Sequence, residues 1–437
     1  MSYSNYEHSK QEVGVLMKSV IYIALLGVAV LSGSLFGQSI LTLDSLKHIV
    51  LEANPRIHAM ASAWKASEEV VPQAGALPDP MISLNILNLP INSFAFDREP
   101  MTGKQIAFSQ EIPFPGKLGL KEAIAREDVV VQKSVYQETI NQQLFLARQA
   151  YFDLYYLDRA IEITRRNAET LQQFIKIAET KYTVGKGLQQ DVLRAQVEHS
   201  RMLDKLVTLR QKRRAAQARL NAILNRPQGT PIQTLTDFPV QPVNISVDSL
   251  MAFADQNRPL FTVWEAQIRK QEKRYRLAKK GYLPDFRLGI AYTQRDALQN
   301  GNPGVDFFSG LVTVKVPLYF WRKQKREVNE HRIRQNVVQS QYLDVKNQVH
   351  SQIETVYSSL GKNYRLIELY RDGIIPQATQ SLNAAIAGYQ TDKVDFLTLL
   401  NNEITLFNYE MDYYRVLSDY LIDWAKLEYL TGTPLKY

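Results

Sequence analysis

Apolar positions recur at alternating spacings of four and three from Leu188 to Ile223. Leu188, Val192, Ala195, Met202, Leu206, Leu209, Ala216, Leu220 and Ile223 hold this seam, and His199 and Arg213 interrupt it. The spacing predicts a coiled-coil helix, roughly 50 Å long at about 1.5 Å per residue. Upstream, Lys117 to Lys181 keeps a helical pattern with no proline, enough to reach roughly 100 Å. Between the two lies Tyr182-Thr-Val-Gly-Lys-Gly-Leu188, where Gly185 and Gly187 predict a hinge. The same seam spacing returns at Leu397, Leu400, Ile404, Phe407, Met411, Tyr414, Ser418, Leu421 and Ala425, and on the longer helix at Ile140, Leu144, Ala147, Tyr151 and Leu154. Met and Tyr in these places are core residues, because seam spacing accounts for them without a cofactor.

Elsewhere the period is two. Ile82, Leu84 and Ile86 alternate with Ser83 and Asn85; Ile106, Phe108 and Ile112 alternate with Gln105, Ser109 and Glu111. Phe286, Leu288, Ile290 and Tyr292 face away from Arg287 and Thr293, and Phe308, Val312, Val314 and Val316 from Ser309, Thr313 and Lys315. These runs predict strands near 81–88, 104–112, 286–293 and 307–316. The helix ahead of the first strand is expected to open with Asp44 as N-cap and to end where Pro72 to Pro80 break it.

These elements fall in two halves with one order of landmarks. Leu43-Asp-Ser-Leu46 returns as Val247-Asp-Ser-Leu250 and Asn54-Pro55 as Arg258-Pro259; Leu77-Pro-Asp79 as Leu283-Pro-Asp285 and Ile112-Pro113 as Val316-Pro317. Tyr182 returns as Tyr389, and Leu224-Asn-Arg-Pro227 as Leu430-Thr-Gly-Thr-Pro434. Six landmarks in one order mark an internal duplication. The chain therefore divides into a first repeat over 38–227, a linker over 228–246 rich in proline, and a second repeat over 247–437. The second hinge is expected at 389–394.

Four amphipathic strands of about ten residues suit a membrane barrel with its apolar side to lipid; an ordinary half-buried sheet has the same pattern. The flanks favour the membrane. After Val316-Pro317 come Tyr319, Phe320 and Trp321, then Arg322, Lys323, Lys325 and Arg326. Aromatic residues prefer the membrane interface and cations prefer anionic headgroups. Pro113-Phe-Pro-Gly-Lys117 is a weaker version of the same flank. Four strands cannot close a barrel, since about eight is the smallest membrane barrel, and open edges cannot sit in lipid. The strands must be pooled: two chains would give eight and three would give twelve.

Residues 1–37 carry the pattern of a secretory signal: Lys18, an apolar run from Ser19 to Leu31, then small residues from Ser32. That run is short of the roughly 20 residues a transmembrane anchor needs. Met17 is a candidate true start, with cleavage near Gly37.

Composition narrows the chemistry. There is no cysteine, and the six histidines, His8, His48, His58, His199, His331 and His350, have no ligand spacing. No metal site and no cofactor are expected. The net charge of +8 is spread over short clusters with acids nearby, which describes solvated helix faces and not a nucleic-acid surface. No phosphate loop, nucleophile elbow or cleft with paired carboxylates is found, so no enzyme is expected.

The order of elements, with Tyr182-Thr-Val-Gly-Lys-Gly, Asp191-Val-Leu193, Asn225-Arg-Pro227 and Tyr389, resembles the TolC-like outer membrane efflux proteins. Ser109-Gln-Glu-Ile-Pro-Phe-Pro-Gly-Lys117 is most similar to the heavy-metal, CusC/CzcC-like branch. The resemblance implies an α+β membrane protein: a homotrimer whose 12-stranded outer-membrane β-barrel, four strands per chain, continues into a 12-helix periplasmic barrel. It also implies a periplasmic adaptor, an inner-membrane pump, with the RND type favoured, and a passive duct closed by the helix ends at the hinges. Tyr389 matches the family's gate tyrosine and Asp191 its first-half acid. The chain departs at Val394, where the best-known member has arginine, and at Thr398 and Asn401, where that member has ring-forming aspartates. It offers Asp392 and Asp395 instead. Repeated by symmetry, they would form an acidic constriction. Helix N-capping alone would also explain Asp395, which precedes Phe396. The competing reading is a structural coiled-coil protein, periplasmic or membrane-associated, which explains the seams but not the strands.

Overall fold

The computed structural model describes residues 40–435; the proposed signal segment lies outside the described residues. The chain opens with α1 (Leu43–Ala53) and α2 (Pro55–Gly75), followed by β1 (Met81–Leu87) and β2 (Gly103–Ile112). The long helix α3 (Lys117–Thr183) and α4 (Gln189–Ile223) complete the first half. The second half runs α5 (Val247–Asn257), α6 (Pro259–Lys280), β3 (Asp285–Gln294), β4 (Phe307–Lys315), α7 (Gln324–Glu368), α8 (Ile375–Gln390) and α9 (Phe396–Thr431).

The first helical segment is two helices, not one. Thr42, not Asp44, is the N-cap, its hydroxyl accepting from the Ser45 N–H at 3.2 Å. The chain breaks at Asn54, whose side chain accepts from the Arg56 and Ile57 N–H groups and so restarts the helix, with Pro55 in its first turn. Ser246 caps α5 in the same manner. Pro72, expected to break α2, lies inside it near its end.

At 67 residues α3 is the longest element, about 100 Å on the helical rise. The rod on the second side is interrupted: between α7 and α8 the residues Leu369–Ile374 form a π-helical turn. Pro376 is the second residue of the helix that follows. Its ring has no N–H and crowds the preceding turn, and a wider turn relieves both.

All four strands form one antiparallel sheet in the order β1-β2-β3-β4, with β1 and β4 as open edges. Its register puts the apolar positions in rows: Leu84, Ile106, Tyr292 and Phe308 in one, Ile82, Phe108 and Ile290 in another, Ile112, Phe286 and Val314 in a third. The opposite face carries Asn85, Gln105 and Thr293, joined by side-chain hydrogen bonds at 3.1 and 3.0 Å. Among the described residues nothing covers the apolar face; Leu84 is 80% exposed and Phe308 73%. No helix among the described residues is long and apolar enough to cross a membrane.

Two apolar cores run along the helices. One gathers α1, α5 and the middle of α3 against α7 and α9; the other follows α3, α4, α8 and α9 toward the hinges. Leu188 is exposed and precedes its helix, but Val192, Ala195, Met202, Leu206 and Leu209 are buried as the seam requires. The segment between the halves is more than a tether. Phe238 enters the first core edge-on to Phe152 and Tyr155, with ring centroids 5.4 and 5.0 Å away. Tyr151 donates its hydroxyl to the Leu41 carbonyl at 2.6 Å and accepts from the Leu235 N–H at 2.8 Å.

Candidate functional site

The sheet and the hinges lie at opposite ends of α3, and the two hinges meet. Each closes the same way. After Tyr182 the chain turns through Gly185 with φ 71°, and the Lys186 N–H donates to the Lys181 carbonyl at 2.9 Å. After Tyr389 it turns through Asp392 with φ 58°, and the Lys393 N–H donates to the Gly388 carbonyl at 2.9 Å. The spacing from tyrosine to left-handed residue is three in both, 185 − 182 and 392 − 389. Glycine adopts this backbone freely, and aspartate is among the few other residues that tolerate it.

Sterics at the two turns are reciprocal. A Cβ on Gly187 would meet the Lys181 Cβ and the Tyr182 nitrogen, both at 3.0 Å. A Cβ on Gly388 would meet Val394 Cγ2 at 2.5 Å. Lys181 and Gly388 hold matching positions, as do Gly187 and Val394, each pair 207 apart. One member of each close pair is therefore glycine, and Val394 is accommodated because its neighbour is Gly388.

Lys181 joins the hinges. Its ammonium donates to the Tyr389 carbonyl and to the Asp392 carboxylate, and lies 4.4 Å from the centre of the Tyr389 ring. The ammonium, with Lys186 nearby, holds the Asp392 carboxyl below its ordinary range. Tyr389 is buried, packed on Phe396 with ring centroids 5.4 Å apart, and its hydroxyl has no hydrogen-bond partner among the described residues. Burial, with the charges of Asp191 and Asp392, pushes its pKa up to about 12. Tyr182, its counterpart, is exposed. Asp395 caps α9, its carboxylate accepting from the Thr398 N–H at 2.8 Å; hydrogen bonding from the Thr398 side chain and then from its N–H lowers the Asp395 pKa. Asp191 lies in the first turn of α4, whose N-cap Leu188 has no side-chain oxygen to offer; a carboxylate there compensates the helix end.

The structure thus gathers Asp191, Tyr389, Asp392 and Asp395 around one groove together with Gly187, while Tyr182 is exposed and does not line it. Lys181 escaped the sequence reading because its partners lie more than 200 positions away. The left-handed role of Asp392 was recoverable by aligning it with Gly185.

A second buried group lies deeper between α3 and α9. Glu403 accepts from the Asn167 side chain at 2.6 Å, and its other oxygen has no partner among the described residues. Beside it, Arg166 pairs with Glu410 at 2.6 Å. Burial, then the Glu410 charge, raises the Glu403 pKa from 4.5 to about 7. The folded chain therefore holds a proton there that the unfolded chain loses above about pH 4.5. The linked stabilisation is full below pH 4.5 and is lost as pH rises through about 7. Glu403→Gln keeps the bond to Asn167 and removes the titration. It is expected to raise stability at pH 8.5 by about 2 kcal/mol and leave pH 4 stability nearly unchanged, as read by thermal melts; a melt that keeps its pH dependence in the variant would sink this assignment.

At the sheet end, Tyr319, Phe320 and Trp321 are exposed and packed on one another, Phe320 to Trp321 at 5.1 Å and Tyr319 to Trp321 at 6.3 Å between centroids. Arg322 and Lys323 follow, both exposed. In the first half Lys117 is engaged, donating to Asp285 at 2.8 Å and to the Leu283 carbonyl at 3.0 Å. Among the described residues no group of three or more His, Asp or Glu side chains could hold a metal ion.

The model of the outer membrane efflux protein family matches residues 46–226 and again 250–433. The chain belongs to that family. It is an outer-membrane efflux protein with a four-stranded sheet and a long helical extension. It is similar to the cobalt-zinc-cadmium resistance protein CzcC of Cupriavidus metallidurans, 20% identical over 387 residues that cover 86% of each chain. It is also similar to the outer membrane efflux protein BepC of Brucella suis, 22% identical over 268 residues. That match spans 58% of this chain and 58% of BepC. Among solved structures, the outer membrane protein VceC of Vibrio cholerae superposes with a TM-score of 0.75 at 16% identity, covering 90% of this chain and 97% of VceC.

Proposed function

We propose that three copies of this chain pool their sheets into a 12-stranded outer-membrane barrel and their helices into a periplasmic tube, forming a passive duct with no chemistry of its own. The observation that carries this reading is the four-stranded sheet with an uncovered apolar face and two open edges, set at one end of helices about 100 Å long. Open edges are not tolerated in lipid, and pairing β1 of one copy with β4 of the next removes all of them. A structural coiled-coil protein would have no use for such a sheet. In this duct the two halves act as structural repeats, the hinges form the periplasmic mouth, and Tyr319, Phe320, Trp321, Arg322 and Lys323 sit at the membrane interface. A periplasmic adaptor and an inner-membrane pump of the RND type complete the pathway. The similarity to CzcC, named for resistance to cobalt, zinc and cadmium, supports divalent metal cations as cargo.

A heat-modifiable, SDS-resistant oligomer in the outer-membrane fraction is the expected result; protein found only in soluble fractions would favour the coiled-coil reading. Asp392 and Asp395, repeated three times around the mouth, supply carboxylates suited to favouring cations. Asn tolerates a left-handed backbone and caps a helix as Asp does, so Asp392→Asn with Asp395→Asn removes charge and little else. Such trimers in planar bilayers are expected to lose part of their preference for potassium over chloride. An unaltered reversal potential would mean that the carboxylates serve the turn and the cap alone.

A further inference from the structure

Charge is distributed unequally between the two ends of the sheet. Residues 315–326, at the end joined to the helices, carry five cations, Lys315, Arg322, Lys323, Lys325 and Arg326, and no carboxylate. The connections at the other end, 88–104 and 295–306, carry three cations against four carboxylates. There some of the charges have local partners, Lys104 pairing with Asp296 at 3.0 Å and Asp306 accepting from the Arg295 N–H at 3.0 Å. At the helix end, Arg322, Lys323, Lys325 and Arg326 are exposed and have no ion-pair partner among the described residues. Along the chain Tyr319, Phe320 and Trp321, exposed and packed on one another, lie between these cations and the last of the uncovered apolar strands.

We propose that residues 318–326 form a docking surface for anionic phospholipid, engaging the phosphodiester headgroups of the leaflet that faces the periplasmic helices. The inference rests on the membrane reading above and adds to it the lipid class and the leaflet. Charge complementarity selects the occupant. An apolar band dips into acyl chains, an aromatic shelf lies at headgroup depth, and unpaired cations stand just beyond it, the order in which a bilayer presents hydrocarbon, interface and phosphate. Side-chain carboxylates to neutralise the cations are missing from the segment itself, so lipid phosphates supply the counter-charge. Because the first-half counterpart Lys117 is bound to Asp285, each chain contributes one such surface, from its second half.

The test is flotation of the purified full-length oligomer, diluted from detergent, with vesicles of phosphatidylcholine alone or mixed with phosphatidylglycerol, at low and high salt. Wild-type protein is expected to associate more tightly with the mixed vesicles, and salt should reduce the difference. Substituting all four cations, R322Q/K323Q/K325Q/R326Q, should weaken association with mixed vesicles by up to about several hundredfold, each basic residue contributing about fivefold. A control, R210Q/K212Q/R214Q/R219Q, neutralises four exposed cations on α4, roughly 50 Å from the sheet along the helix, and should leave association unchanged. Equal association with both lipids, or an equal loss in the control, would overturn the inference and leave the duct reading intact. Failure to associate with either lipid would overturn the duct reading itself.

Discussion

Lys181→Met is expected to raise the single-channel conductance of the trimer in planar bilayers severalfold, with assembly unchanged. Lys181 stands on α3 and both of its partners, the Tyr389 carbonyl and the Asp392 carboxylate, stand at the end of α8. It is a charged link between the two helix pairs at the proposed mouth. Methionine is close in length to the lysine stem, and it removes the charge that lies over the Tyr389 ring and the donor hydrogens. Asp392 is mostly exposed, so the pair on its own contributes little to global stability. The carbonyl contact and the ring contact add local order, and these are lost together. The helix ends would then separate more readily, and ions would pass more often. Conductance equal to wild type would show that the link does not hold the mouth closed. Lys181→Arg should restore much of the wild-type behaviour, because it retains charge and donors.

Gly432→Ala is expected to be the most destabilising single methyl addition in the helical part, costing about 3 kcal/mol or more. Gly432 ends α9 with φ 71°, where any side chain is strained. A Cβ there would also meet backbone, the Arg258 Cα at 2.7 Å, the Arg258 nitrogen at 2.9 Å and the Asn257 carbonyl oxygen at 2.9 Å. None of these atoms can rotate aside. The junction is crowded for a reason: the Arg258 guanidinium donates to Glu138 and to the Tyr429 hydroxyl, both at 3.0 Å, tying the start of α6 to α3 and α9. A lowered urea midpoint and faster proteolysis should report the loss. Gly229→Ala is the matching control, since nothing lies within 4 Å of an added Cβ there; similar losses in both variants would refute the steric account.

Much of the candidate site could be read from particular residues. Gly185 and Gly187 marked the first turn because glycine reports backbone demands that are local. The tyrosine match placed the second turn at 389–394, and Asp395 before Phe396 announced its cap. The match of Leu224-Asn-Arg-Pro227 with Leu430-Thr-Gly-Thr-Pro434 has a backbone cause: Asn225 with φ 52° and Gly432 with φ 71° both end their helices left-handed. Inferring the contact of Gly432 with Arg258 was out of reach, since nothing in either segment refers to the other. The split at Asn54 was also missed, although Asn-Pro is a capping pair in its own right. The apolar spacing runs on through the break and conceals it.

What the sequence determined by itself were the elements and their faces: rods with buried seams, strands with one apolar side, two hinges, and an aromatic and basic flank. Each depends on residues within a few positions of one another, where helical period, strand alternation and turn conformation act. Folding sets which groups meet: Lys181 with Asp392, Glu403 with Asn167, Phe238 with the core, and the order of the sheet. These contacts join positions tens to hundreds apart, and they form because long helices run back along one another once apolar seams exclude water. The seams report that a partner exists; the polar groups beside them acquire partners only when the register between helices is set.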